Sequence, residues 1–120
     1  MEKGRTNWVF GDGDLPPKDK GTLEAHEALM ITNLNEEDSN VELRILFEDR
    51  EPVTGLCFTV SGMRVKCIRM DKPLGKQAFT VPYGQYALHL VSDMPVVAVF
   101  GRLDVRQPNL AYYPVQGYSF

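Results

Sequence analysis

The sequence predicts an all-β protein, a single-domain antiparallel sandwich or barrel of about eight to nine short strands. Turn-forming residues recur at short intervals, and short runs rich in Val, Ile, Leu, Phe and Tyr lie between them. The segment NVELRILFED alternates with period two, so that Val41, Leu43, Ile45 and Phe47 share one face. The length suits one domain spanning residues 1–120, which is long enough to bury a core without disulfides.

The N-terminal third contains one expected strand and one segment whose propensity favours a helix. Residues 6–10 are predicted to form a strand, and the run GDGDLPPKDKG at 11–21 is predicted to form a turn. The segment TLEAHEALMI at 22–31 consists of good helix formers with Thr22 as a potential N-cap. Propensity alone therefore predicts a helix in its first half.

The segment LCFTVSGMRVKCIRM predicts a hairpin with Ser61 and Gly62 at its tip, because glycine tolerates the backbone angles of tight hairpin turns. The expected pairs, all on one buried face, are Val60 with Met63, Phe58 with Val65, and Leu56 with Cys67. This register places Cys57 and Cys67 on opposite faces, so that no disulfide is expected between them.

The C-terminal half is expected to contain strands at 78–81, 86–92 and 96–106, with a turn at 92–95 between the last two. The stretch 96–100 is apolar on both faces, which predicts a central strand covered on both sides. Part of the tail after Ala111 is also expected to be strand, and Pro114 places it at a sheet edge or a bulge.

Composition and charge favour a soluble cytoplasmic protein. The net charge is −3, which predicts no general attraction to nucleic acid. Arg64, Lys66 and Arg69 form a basic stripe only if a bulge turns the third onto the face of the other two. The sequence has no run of about 20 apolar residues and no secretory leader, and its two cysteines fit a reducing compartment.

No motif of a known catalytic chemistry is present. The sequence lacks the phosphate-binding and nucleophile-elbow motifs, and His26 and His89 have no partners at metal-ligand spacing. The GDGD run is interpreted as a solvated turn and not as a calcium loop. In the hairpin, Cys57 lies near Arg64 and Lys66 but has no base, so a structural cysteine is favoured. We therefore expect no enzyme, no metal and no cofactor.

Two sets of polar residues are candidate sites. If 22–31 is strand, His26 and Glu27 point to opposite faces, and a satisfied histidine beside a surface carboxylate is favoured. In the stretch GRLDVRQP, Arg102, Asp104 and Arg106 share one face about 7 Å apart along the strand. If that face is covered, the second arginine needs another anion, from elsewhere in the fold, a neighbouring subunit or a ligand. An architectural or subunit-contact role is favoured over ligand capture.

The chain also resembles a known family, the sensory rhodopsin transducers, which are small soluble bacterial proteins. The matching features, in order, are Trp8, the pair Pro16-Pro17, His26-Glu27 leading into ITNLNEEDSNVELRILFEDREPV, then FTVSGMRVKCIRM and SDMPVVAVFGRLDVRQ. The resemblance implies a β-sandwich with strand at 25–33 and assembly as a homotetramer. It also implies a cytoplasmic protein that carries signals from a membrane photoreceptor, with a likeness to sugar-binding sandwiches and a proposed interaction with DNA.

Three functional hypotheses follow. The first is a non-enzymatic signalling adaptor that acts as a homotetramer and contacts a membrane receptor or another signalling partner. The alternative is a binding module for a sugar or an anionic metabolite, with aromatic side chains for stacking and polar donors beside them. A DNA-binding regulator is the least favoured. The candidate ligand or interface residues are Trp8, His26, Glu27, Arg102, Asp104, Arg106 and Gln107.

Overall fold

The computed structural model describes residues 3–17, 24–105 and 111–120. Within these ranges the regular secondary structure consists of eight strands, all paired antiparallel. They are β1 (Arg5–Leu15), β2 (His26–Asn33), β3 (Ser39–Leu46), β4 (Val53–Val60), β5 (Arg64–Arg69), β6 (Gly84–Asp104), β7 (Ala111–Val115) and β8 (Tyr118–Ser119). The all-β prediction is confirmed, and β2 confirms the strand that the resemblance implied in place of a helix.

Strand β6 belongs to both layers of the sandwich. Its first half pairs with β1 and β3, in a sheet ordered β4-β3-β6-β1-β8, here called the first sheet. Its second half pairs with β2 and β7, in a second sheet ordered β5-β2-β6-β7. The register against β1 jumps from Asn7↔Val91 to Arg5↔Val96, so residues 92–95 form a bulge and not the predicted turn. The two strands predicted at 86–92 and 96–106 are therefore one, with Arg106 outside the described residues.

The core lies between the two sheets. The alternation predicted for β3 is confirmed, because Val41, Leu43 and Ile45 are at most 2% exposed. Phe100 of the second sheet contacts Phe10 of the first, with ring centroids 5.6 Å apart. Aromatic packing thus joins the two layers beside the point where β6 passes between them.

The predicted hairpin at 56–70 is wrong. Strand β4 pairs with β3 and strand β5 pairs with β2, so the turn at Ser61-Gly62 crosses from one sheet to the other. The faces of β5 are consequently reversed, with Val65 65% exposed and Ile68 buried. A period-two pattern occurs both in a hairpin and in an arch, in which two consecutive strands belong to different sheets. The pattern alone therefore does not distinguish the two.

The packing around Gly62 explains the arch. A Cβ atom at Gly62 would lie 1.9 Å from the carbonyl oxygen of Glu36, and Met63 N donates to the carbonyl of Asn35 at 2.9 Å. The turn is therefore seated on the loop after β2 instead of closing a hairpin. Cys57 and Cys67 are both free and exposed. They lie on different sheets, and not on opposite faces of one hairpin as predicted.

Three further predictions are corrected. Strand β1 continues through residues 11–15, where a turn was expected, because a bulge accommodates the glycines. Residues 78–81 form no strand; an isolated bridge joins Leu74 and Phe79, and Ala78 has a φ of 51°. Pro114 lies in β7, whose pairing in the described part of the chain is with β6, and its edge placement is confirmed.

Candidate functional site

A buried ion pair connects β2 and β6 inside the sandwich. Glu27 and Arg102 are register partners on the two strands, and Arg102 Nε donates to Glu27 Oε2 at 2.9 Å. Glu27 is 0% exposed and Arg102 is 5% exposed. The expectation that Glu27 is a surface carboxylate is therefore wrong. The buried Arg102 has Glu27 as its anion, so the anion comes from elsewhere in the fold, one of the three sources considered above.

Both members of the pair have further partners. Tyr86 OH donates to Glu27 Oε1 at 2.7 Å, and the backbone N–H of Asp14 donates to Oε2 at 3.0 Å. Arg102 donates through Nη2 to the carbonyl of Asp12 and through Nη1 to Tyr113 OH at 3.1 Å. We call the whole group the Glu27 cluster; its members are Asp12, Asp14, Glu27, Tyr86, Arg102 and Tyr113.

The Gly-Asp-Gly run in β1 explains how the cluster forms. Between Phe10↔Leu88 and Gly13↔Tyr86 the register shifts by one residue, and such a bulge leaves backbone groups outside the ladder. The Asp12 carbonyl and the Asp14 N–H are the groups that meet the buried pair. A Cβ at Gly13 would lie 2.7 Å from ring atoms of Tyr86, so the glycine makes room for the tyrosine.

The electrostatics of the cluster keep its donors protonated. Burial raises the pKa of Tyr86, and the negative charge of Glu27 raises it further, so the phenol remains a donor. Burial lowers the pKa of Arg102, but hydrogen bonds to Tyr113 and Glu27 outweigh this effect and leave the pKa raised. Among the described residues, every buried side-chain nitrogen and oxygen has a hydrogen-bond partner. The cluster is thus a closed network with its charges paired.

The other candidate residues lie in different environments. His26 is on the opposite side of β2 from Glu27, and its Nδ1 lies 2.9 Å from the carbonyl of Glu24. Trp8 is half-buried; its Nε1 donates to the carbonyl of Val96 at 3.0 Å, and its ring stacks on Phe10. Asp104 is 6% exposed and lies on the same face of β6 as Arg102. Arg106 and Gln107 lie outside the described residues.

Sequence reasoning found Glu27 and Arg102 but missed their partners. Tyr86 lies in a different predicted strand from Arg102, and the contribution of Asp12 and Asp14 comes from the backbone, which a residue motif does not reveal. The signal that was available is the pair of glycines, Gly11 and Gly13, directly after the apolar residues 8–10, since glycine inside a strand often marks a bulge.

The outer face of the second sheet carries the largest set of exposed apolar side chains on regular strands. Register partners across β5, β2 and β6 form two rows, one of Val65, Thr32 and Val97 and one of Cys67, Met30 and Val99. Val97 is 36% exposed and Val99 is 48% exposed, so the described residues do not provide the cover that was expected on this side of β6. We call this surface the apolar outer face; its members are Met30, Val65, Cys67, Val97, Val99 and, on β7, Tyr112.

The basic residues of β5 do not form a single stripe. The register of β5 on β2 is continuous, so Arg64 and Lys66 lie on one face and Arg69 lies on the other. Arg69 is moreover held by Asp71 through a contact of 2.7 Å. The bulge that a basic stripe would need is not found in this strand.

Neither a metal-ligand cluster nor a membrane-spanning helix is found in the described residues. In residues 3–17, 24–105 and 111–120, no group of three or more His, Cys, Asp or Glu side chains could hold a metal ion. The same part of the chain has no helix with the length and apolar character needed to cross a membrane.

Comparison with known proteins decides the family. The sequence profile of the Anabaena sensory rhodopsin transducer matches residues 3–119. The chain belongs to the sensory rhodopsin transducer family. Among solved structures, the transducer of Anabaena itself is 34% identical, with a TM-score of 0.75 over 88% of this chain and 94% of that chain.

A second solved structure extends the similarity to the whole chain. The crystal structure of Thermotoga maritima 1070 is 31% identical, with a TM-score of 0.84 over 100% of this chain and 97% of that chain. No curated protein matches the sequence. The transducer family thus accounts for the fold over essentially the full length described.

Proposed function

We propose that this transducer-family protein is a non-enzymatic signalling adaptor of the bacterial cytoplasm that assembles as a homotetramer and acts through protein–protein contacts. The observation that carries this proposal is the apolar outer face. Its valines lie on β5 and β6, and Met30 and Thr32 of β2 lie between them in the same register rows, so the side chains form a continuous surface and not scattered exposed residues. Contiguous exposed apolar surface of this kind marks an interaction site.

The composition of the face also fits a subunit contact. Charged residues are depleted and Met and aromatic residues are enriched at the centres of protein interfaces. The rows through Met30 and Thr32 contain no charged side chain. Arg69 borders them in the next row, and Tyr112 on β7, the register partner of Leu103, is 66% exposed on the same face. A second copy of the chain would cover these side chains, and the same face on both copies would form an isologous contact.

The Glu27 cluster favours an adaptor over an enzyme. Its carboxylate accepts three hydrogen bonds and its guanidinium donates through all three nitrogens to groups of the same chain. Such a network holds β1, β2, β6 and β7 in register, and it offers no activated group to a substrate. We propose that its role is architectural.

Oligomeric state is the first test. Size-exclusion chromatography with light scattering at micromolar concentration should give the mass of four chains for the wild type. Val99→Glu should shift the protein toward smaller species, because it places a charge in the apolar outer face. Thr54→Glu, at an exposed position of β4, is the matched control and should remain tetrameric. A monomeric wild type would contradict the proposal.

The signalling partner requires a separate experiment. One of the similar proteins is named as a transducer of a sensory rhodopsin, and we extend to this chain a role downstream of a membrane receptor. Affinity capture from detergent-solubilised host membranes should enrich an integral membrane receptor. Failure to enrich any signalling protein from either the membrane or the soluble fraction would count against an adaptor.

The rival hypotheses receive less support from the geometry. Binding of a sugar or an anionic metabolite would need donors that the fold leaves available, and the three nitrogens of Arg102 are already engaged. The indole N–H of Trp8 is also bonded within the chain. DNA binding would need a basic surface, which the net charge of −3 and the divided faces of β5 do not favour.

A further inference from the structure

The first sheet carries a groove on its outer side, remote from the apolar outer face. It has a volume of about 540 Å³ and crosses β4, β3 and β6. Cavities of roughly 300–1,000 Å³ are typical of small-molecule sites. Its floor follows the register of the sheet, with Cys57, Glu42 and Val91 in one row and Thr59 beside Asn40 in the next.

Asp93 supplies a negative charge at the β6 end of the groove. Its carboxylate accepts hydrogen bonds from the Asn40 backbone N–H at 2.8 Å, the Asn40 side-chain amide at 3.2 Å and the Ser39 hydroxyl at 3.3 Å. Loss of solvent would raise the pKa of Asp93, but these hydrogen bonds outweigh that effect and lower the pKa. All three partners are neutral, so none of the described groups that bond to this carboxylate cancels its charge.

Glu42, the other carboxylate in the groove, is already neutralised. Arg44 Nη2 lies 2.9 Å from its Oε1, and the N–H of Gly55 donates to Oε2 at 2.8 Å. The two acids therefore differ in kind. Asp93 is available to a cation, whereas Glu42 has its counter-ion on the same strand.

Lys76 supplies a positive charge at the opposite end, beside β4. The loop that carries it is fixed to the sheet, because Gln77 Nε2 donates to the carbonyl of Gly55 at 2.8 Å and a bridge joins Leu74 to Phe79. Lys76 lines the groove and forms no ion pair with any other described residue. The groove thus has an anion at one end, a cation at the other, and between them a floor whose carboxylate, Glu42, is paired with Arg44.

We infer that this groove binds a short zwitterionic peptide, with its ammonium at Asp93 and its carboxylate at Lys76. Strands β4 and β6 flank β3, and two strand spacings amount to roughly 9.5 Å. An extended chain spans about 3.3–3.6 Å per residue, so a peptide of about three residues matches that distance. The inference is independent of the tetramer, because the groove and the apolar outer face lie on different sheets.

Titration calorimetry with trialanine tests the proposal, with N-acetyl-trialanine amide as the matched peptide that lacks both charges. The free peptide should bind at a single saturable site, and the blocked peptide should bind at least several-fold more weakly. Asp93→Asn and Lys76→Gln should each weaken binding by about two- to five-fold, as expected for one exposed ion pair. Lys72→Gln, in the same loop but outside the groove, is the control and should bind normally.

Cys57 provides a second readout that locates the peptide. In a Cys67→Ser background, the free peptide should slow alkylation of Cys57 to the same saturation point as the calorimetry, since the thiol lies in the groove floor. Circular dichroism should show that each variant is folded. Equal affinity for the free and blocked peptides, or no protection of Cys57 at about 10 mM peptide, would overturn the inference.

Discussion

Tyr86 and Glu27 meet across the interior of the sandwich, although 59 positions separate them in the sequence, and the phenol donates to Oε1 of the carboxylate at 2.7 Å. Tyr86 comes from the half of β6 that lies in the first sheet, whereas Glu27 belongs to the second. This bond therefore ties the two layers through polar groups at a depth where most contacts are apolar.

Tyr86→Phe should destabilise the protein by about 1–3 kcal/mol, because it leaves Glu27 Oε1 buried without its donor. Urea denaturation monitored by fluorescence measures the loss. Tyr83→Phe is the control, since Tyr83 is 62% exposed and its hydroxyl should contribute little. Equal stability of the two variants would show that the phenol hydroxyl of Tyr86 carries no stabilising contact.

Arg102→Met should lower the free energy of unfolding by about 3–5 kcal/mol, because it leaves the charge of Glu27 buried without a counter-ion. The double variant Arg102→Met with Glu27→Gln should recover part of this loss, since the charge is removed together with its partner. Denaturation curves of the two single variants and the double variant give the coupling energy directly. Additive effects of the two substitutions would contradict the pairing.

Gly13→Ala should destabilise the chain by about 1–3 kcal/mol through overpacking. A methyl group there would lie 2.7 Å from ring atoms of Tyr86 and 2.8 Å from its carbonyl oxygen. Gly11→Ala is the matched control in the same bulge, because a Cβ at Gly11 meets nothing within 4 Å. Thermal melts of the two variants should differ, with the lower midpoint for Gly13→Ala.

Stability should fall as the pH drops below about 6.5, the ordinary pKa of histidine, and His89 should account for much of the fall just below that value. Burial lowers the pKa of His89, and the nearby charge of Arg44 lowers it further against the opposing effect of Glu42. The unfolded chain therefore binds a proton at a pH where the folded chain does not. Protonation of the unfolded state shifts the folding equilibrium toward the unfolded chain.

His89→Gln should flatten the pH dependence of stability in that window, while an amide can still reach Asn7, which the ring contacts at 2.9 Å. The pKa values of the Glu42 and Asp93 carboxyl groups are lowered from their ordinary values, so neither group changes its protonation just below pH 6.5. Denaturation at several pH values measures the slope. An unchanged slope in the variant would assign the effect to another group.

Much of the fold could be predicted from local pattern. The alternation in β3 located its buried face correctly, and Pro114 indicated an edge strand. Local pattern failed where two structures share the same periodicity. Residues 61 and 62 connect two sheets and not two neighbouring strands, and only contacts with the distant Glu36 reveal this.

The candidate site was predicted in outline. The shared face of Arg102 and Asp104 followed from strand geometry, and so did the need of a covered arginine for another anion. The identity of that anion required the register of β2 against β6, which is a long-range property. Glu27 was therefore named as a candidate without being connected to Arg102.

The passage of β6 through both sheets also bears on how the protein folds. Neither layer is complete until this 21-residue strand is in place, because it supplies a central partner to each. The two layers therefore cannot melt one after the other while leaving the remaining one intact. Unfolding should be a single cooperative transition, with fluorescence and circular dichroism reporting the same midpoint.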